Sequence, residues 1–293
     1  MKELGRNPRG EELPEFIFYL CFFLVGLYLL MDLLSPLLIQ SDNRILLGAG
    51  AVSYIFNVLM CHQLPERSFG LFGQHMPLCS RDIGLIAGVV AACVASFASS
   101  RLPRILRSSW LAILSVVPLG IDGVMQFMDL WESTNLVRFV TGIVAGFFIS
   151  YYAIYVFVGE PKPSRAALRS MLALTPLLLI LLVASAYVGS GYQTKSEILS
   201  KTKAINNATD IRVFYIAPRA FSSAIPNDVY VKDYNDTVLR DVARIGGGGN
   251  PYGVWVAVAS DGSDNVGRYV FASRGVNYFY DAMDGMLIGK FEH

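Results

Sequence analysis

The sequence predicts an α-helical polytopic membrane bundle, with five spans plus one short re-entrant or sixth span, followed by a small C-terminal α/β soluble domain. Three observations predict it. Hydrophobic residues make up 54% of the chain and charged residues only 16%, where soluble domains carry about 25% charged residues. The apolar excess is confined to long runs before residue 193. Beyond that point the composition becomes that of an ordinary soluble domain, which divides the chain into 1–192 and 193–293.

A hydrocarbon core about 30 Å thick needs roughly 20 apolar residues in a helix. The segments 15–39, 83–100, 109–128, 136–158 and 171–192 meet that requirement. The first follows Lys2, Arg6 and Arg9, as in a signal peptide. It runs from Phe16 to Ile39 without a small-residue cleavage site, so it reads as a retained anchor. The stretch Ile45 to Met60 is shorter and contains Ser53, Tyr54 and Asn57, which suits a re-entrant or interfacial helix or a short sixth span.

Orientation follows from the short loops, because Lys and Arg are enriched on the cytoplasmic side. Arg101, Arg104 and Arg107 mark one cytoplasmic loop, and Lys162, Arg165 and Arg169 mark another. The intervening loop carries Asp129 and Glu132 without a basic residue and is expected outside. Counting outward places the 61–82 loop and the 193–293 domain on the external face of the cell membrane. The N-terminus is cytoplasmic if 45–60 does not cross and external if it does.

In the C-terminal domain, IRVFYIAP, VWVAVAS and RYVFAS read as strands. KSEILSKTKAINNA and NDTVLRDVARI carry helical spacing. Basic and acidic residues are balanced there, and the net charge of the chain is +1. Both argue against a nucleic-acid partner, which calls for a basic patch. GGGGN at 246–250 suits either a backbone anion cradle or a flexible connection. Asn207-Ala-Thr209 and Asn235-Asp-Thr237 match glycosylation acceptors and agree with an external domain.

The densest polar cluster is CHQLPERSFGLFGQHMPLCSRDIG, residues 61–84. Cys61, His62, His75, Cys79 and Asp82 are five potential metal ligands. A set of Cys61, His62, Cys79 and Asp82 suits a divalent metal such as zinc, which takes four thiolate, imidazole or carboxylate ligands. Two other readings stand beside it. An external Cys61–Cys79 disulfide would close a loop of ~18 residues and stabilise by about 3 kcal/mol. Alternatively, both cysteines are packed small hydrophobes, as Cys21 and Cys93 are in their apolar runs.

A second cluster, IDGVMQFMDLWESTNLVRFVTG, puts Asp122 inside a membrane helix with Gln126 one turn later on the same face. A charge there costs about 2.5–3.5 kcal/mol on insertion scales, so it needs a partner or a cavity. Arg138, at the start of the next helix, is the expected partner, and Asp32 in the first helix poses the same question. Gly142 and Gly146, and Gly84 and Gly88, supply the four-residue spacing of close helix packing.

Both polar motifs resemble the prokaryotic membrane family known as domain of unknown function 2085, over about residues 45–158. In that family a further cysteine commonly stands three residues after the second motif cysteine. Here Asp82 occupies that position, which keeps an oxygen ligand and removes a thiol. The resemblance implies a membrane protein and assigns no activity, and the C-terminal domain lies outside it.

Three functions remain open. The first is a metal-dependent enzyme acting on a lipid or lipid-linked substrate. Asp122, Gln126 and His75 are its catalytic candidates, and Arg67, Arg81 and Arg138 would bind the anionic head group, since guanidinium forks match such oxygens. The second is an anchor or assembly protein that presents 193–293 to a protein partner. The third is a small-solute or ion transporter using Asp32, Asp122 and Gln126, without the inverted repeats common in transporters.

Overall fold

A computed structural model describes residues 8–61, 63, 67–97, 104–128, 130–131, 133–159, 165–208, 210–216, 252–260 and 276–292. Several expected features lie outside them: His62, Asp129, Glu132, the helix over 235–245, GGGGN, the strand RYVFAS and the Asn235 acceptor. Among the described residues, four helical stretches are long and apolar enough to cross a membrane: Leu13–Leu38, Ser109–Phe127, Asn135–Phe157 and Ala167–Ile205. Their outer faces are apolar. Ile113, Leu114, Ile121 and Val124 are exposed on one of them, and Ile180, Leu182 and Val183 on another. Such continuous apolar surface is stable only against lipid or a partner.

The chain forms two compact units. One comprises residues 1–30 and 80–180, the other 31–79 and 181–293. Helix α1 (Pro8–Leu38) contributes its first part to one and its last part to the other.

In the first unit, α3 (Ser80–Ser96), α4 (Ser109–Phe127) and α5 (Asn135–Phe157) pack together. The glycine pairs foreseen in the sequence lie between α3 and α5. A Cβ on Gly142 would stand 2.5 Å from the Arg81 carbonyl, and one on Gly88 would stand 2.5 Å from that of Ile143. Glycine is therefore required for this backbone approach. The Thr134 side chain caps α5 by accepting the Val137 N–H. Phe18 and Tyr19 of α1 pack on Phe97 and Cys93.

In the second unit, α2 (Arg44–Asn57) is capped by Asn43, which accepts the N–H groups of Ile45 and Leu46. A miniature hairpin follows, β1 (Gly70–Leu71) and β2 (Gln74–His75), turning at Phe72 and Gly73 with positive φ. Short α6 (Arg165–Ala173), in the first unit, precedes α7 (Thr175–Gly191), whose end enters this unit. A capping box of Thr194 and Glu197 starts α8 (Lys195–Ile205).

The strands β3 (Asp210–Ile216), β4 (Val254–Ser260), β5 (Val276–Asp281) and β6 (Leu287–Glu292) form an antiparallel sheet in sequence order. One face of it forms a core with α8 and with Ile39, Leu47, Ala51 and Tyr54. The sheet is therefore built onto the 31–79 segment. Gly48 on α2 and Gly189 on α7 touch backbone to backbone, since a Cβ on Gly48 would stand 2.7 Å from the Gly189 nitrogen.

Candidate functional site

Cys61 follows directly from the end of α2, where its N–H bonds the Asn57 carbonyl at 2.9 Å. Gln63, two residues on, has φ +54 and turns the chain back. That turn aims the Gln63 N–H at Cys61 Sγ (3.4 Å), and the Cys79 N–H reaches the same sulfur at 3.2 Å. The two sulfurs lie within 4.8 Å of one another and no disulfide joins them. The Cys61 sulfur thus acts as an acceptor for two backbone donors. Asp82 stands three residues beyond Cys79 in the chain, in the first turn of α3 of the other unit.

The segment between the cysteines is held against the sheet. Gln74, buried, pairs with both backbone groups of Tyr215: it receives the N–H at 3.0 Å and donates to the carbonyl. Its amide thus does for the outer edge of β3 what a neighbouring strand would do. The Gln63 side chain donates to the Tyr54 carbonyl at 2.6 Å, and the Tyr54 hydroxyl donates to the His75 carbonyl. The rings of His75, Tyr54, Tyr215 and Trp255 follow one another edge to face, 5.2–5.6 Å apart.

His75 is itself buried. Its Nδ1 faces the Met76 carbonyl at 3.0 Å, so that nitrogen carries the proton, and buried Nε2 is left as a lone pair without a partner. Burial pushes its pKa down to about 4, against the smaller opposing effect of the Met76 bond. At neutral pH it is an uncharged acceptor. Burial likewise raises the Tyr215 phenol well above its usual value, with Tyr192 adding to the rise, so it stays protonated and donates to the Tyr252 carbonyl at 2.7 Å.

The other cluster lies in the first unit. Asp122 and Gln126 share a face of α4, as their spacing predicts. The partner of Asp122 is Arg81 from the start of α3, not Arg138. The same guanidinium reaches Gln126 Oε1 at 3.4 Å. The sequence favoured Arg138 because it lies across a short hairpin. In the fold, the glycine-lined contact between α3 and α5 brings α3 close, and that helix carries Arg81. Arg138 is 3% exposed and is held by Ser133 Oγ at 3.1 Å and Asn135 Oδ1 at 3.0 Å. Arg67, the third expected head-group residue, belongs to the second unit and is half-buried.

Sequence reasoning missed Gln63, Gln74 and Tyr215. Their roles depend on side-chain bonds to backbone far away in the chain, and no spacing announces these. The i, i+4 recurrence of Ser53 and Asn57 on α2 was a usable signal, because it puts two polar groups on one face.

The chain matches the model of a family described as predicted membrane protein (DUF2085) over residues 61–152. It is 35% identical over 105 residues to an uncharacterized protein of Methanocaldococcus jannaschii, covering 36% of this chain and 67% of that one. It is 38% identical over 87 residues to an uncharacterized protein of Methanothermobacter thermautotrophicus, covering 30% of this chain and 78% of that one. No solved structure matches it.

Proposed function

The chain belongs to the DUF2085 family of predicted membrane proteins, and on that premise we propose that it is a multi-pass membrane protein carrying a thiolate metal site at the external face. The observation that carries this reading is the nearness of the Cys61 and Cys79 sulfurs, within 4.8 Å, with two backbone N–H groups on the Cys61 sulfur. Zinc suits these ligands. His62, next to Cys61, and Asp82, three residues beyond Cys79, are the remaining ligands that the sequence offers.

In this proposal α3 is the fifth span and α2 is re-entrant. Gln40 before α2 donates to the Phe72 carbonyl after it at 3.1 Å. Gln40 also bonds Lys195, and Gln74 bonds Tyr215. Both flanks of α2 thus meet the C-terminal domain, which supports a helix that enters and leaves on one side. The basic loops 101–107 and 162–169 then put that side outside.

The proposed activity is that of a metal-dependent enzyme on a lipid or lipid-linked substrate, for which a metal held by these residues would supply a Lewis acid or an activated water. Arg138, buried at the start of α5, is the head-group residue this reading favours. The reading of the C-terminal domain as a detachable module for a partner is weaker, because its core includes Tyr54, Leu47 and Ile39.

The test is metal analysis with free-thiol counting on the full chain purified in detergent without reductant. The expected result is one zinc per chain, lost in both Cys61→Ser and Cys79→Ser. A metal-free protein, with either two reactive thiols or a disulfide, would overturn the proposal.

A further inference from the structure

Helix α1 carries one acidic side chain within its apolar run, Asp32, and it is completely buried. It lies six residues before the helix end at Leu38, about 9 Å along the axis at 1.5 Å per residue. Two neutral side chains of α2 hold one of its oxygens. Ser53 Oγ donates to Oδ1 at 2.8 Å, and Asn57 Nδ2 donates to the same atom at 2.7 Å. Ser35, one turn along α1, directs its hydroxyl to the Asp32 carbonyl instead, at 2.9 Å. The second carboxyl oxygen, Oδ2, is buried and has no partner among the described residues. Ser53 and Asn57 are themselves buried, and among the described residues no group that holds Asp32 is a cation or titrates.

An ionised carboxylate in such a place is an uncompensated charge in an apolar medium, which costs several kcal/mol. Positive charge must reach Oδ2 in one of two forms. A metal cation such as sodium needs a ring of acceptor oxygens. The groups beside this carboxyl face it as donors, and Asn57 spends the rest of its amide nitrogen on the Ser53 carbonyl at 2.9 Å. A proton needs only the one oxygen.

We propose that Asp32 is a proton-binding site of the membrane domain, with the proton carried on Oδ2 while Ser53 and Asn57 fix Oδ1. The proton comes from hydronium at the membrane face where α1 ends. It forms the O–H bond and neutralises the carboxylate, and it returns to water when the site empties. Asn57 links this event to the thiol segment, because its carbonyl accepts the N–H groups of Met60 and Cys61 at 3.0 and 2.9 Å. A charge appearing on Asp32 pulls harder on the Asn57 amide and therefore on the turn that positions Cys61. The proposal is independent of whether a metal occupies the thiols.

The experiment is infrared difference spectroscopy of the full chain in lipid nanodiscs, scanned from alkaline to acid pH in H2O and D2O. A carbonyl stretch of a neutral carboxylic acid is expected that shifts in D2O and is absent from Asp32→Asn. Thermal unfolding reports whether that variant is folded. Ser53→Ala and Asn57→Ala each remove one bond from Oδ1, so each should displace the same band, which keeps the test available should Asp32→Asn fail to fold. A band unchanged in all three variants, or no such band at any pH, would overturn the proposal. Loss of the band on adding sodium at constant pH would replace it with a cation site.

Discussion

Acid should weaken the fold through His75, and the size of the effect can be worked out beforehand. Burial takes its pKa from 6.5 to about 4 in the folded chain. The folded state therefore refuses a proton that the unfolded chain accepts below about pH 6.5. Stability from this residue is intact above pH 6.5 and falls as the pH drops. The loss stops near pH 4, where the folded form is protonated too. At about 1.4 kcal/mol per pH unit the full loss approaches about 3 kcal/mol, and about 1 kcal/mol is already gone at about pH 5.5.

Trp255 is fully buried beside Tyr215 and so reports unfolding of this unit by fluorescence. Melts in detergent at about pH 7.5, 6.5 and 5.5 lie above the range where ordinary carboxylates titrate, and comparison of the wild type with a His75 variant isolates the histidine. His75→Asn keeps a donor for the Met76 carbonyl and cannot take up a proton. As the pH falls across this window, the melting temperature of the wild type should drop relative to that of the variant. Equal acid sensitivity in both proteins would refute the buried, neutral histidine, and with it the role of His75 as an uncharged acceptor.

Further outcomes follow from the same contacts. Gln74→Ala strands the N–H and carbonyl of Tyr215 at the edge of β3. At about 1–3 kcal/mol for each of the two buried groups left unpaired, the second unit should lose about 2–6 kcal/mol, read from the same Trp255 melt. Asp122→Asn removes the charge opposite Arg81. Breaking a buried pair costs about 3–5 kcal/mol, and the 23% exposure of the arginine moves the expectation to about 3 kcal/mol by helical circular dichroism in detergent. Asp122→Asn with stability unchanged would show that the pair is not formed. Gly142→Leu drives a side chain into the backbone of α3, for a loss of at least about 1–3 kcal/mol. Protein that melts like wild type would contradict the close approach of α3 and α5.

How much of this was legible in the sequence depended on whether a feature repeats along the chain. Apolar runs announced the long helices, since twenty oily residues have few other uses. The glycines at 84, 88, 142 and 146 announced a close helix contact by their four-residue spacing. VWVAVAS and IRVFYI announced β4 and β3 by their branched and aromatic residues. β5 and β6 were missed, because Asn277 interrupts one apolar run and Gly289 and Lys290 interrupt the other.

The site was legible as residue types and not as pairings. Asp122 was rightly expected to need a cation. Which arginine answers it depends on how α3 packs on α5, a relation fixed by glycines forty residues from Asp122 on one side and twenty on the other, about as far as local patterns stop informing. Likewise, nothing near Gln74 reveals that its amide completes the edge of a strand that begins at Asp210. Such bonds are set only once the chain has folded, and they hold the segment between Cys61 and Cys79 in place.

X-ray absorption at the zinc edge, on purified full-length protein, addresses the thiol pair most directly. A metal bound as proposed has two sulfur neighbours at about 2.3 Å, with nitrogen or oxygen completing the set at about 2.0–2.2 Å. The spectrum should lose its sulfur shell in Cys61→Ser,Cys79→Ser. A shell of light atoms alone in the wild type, or one indifferent to that double change, would contradict the account.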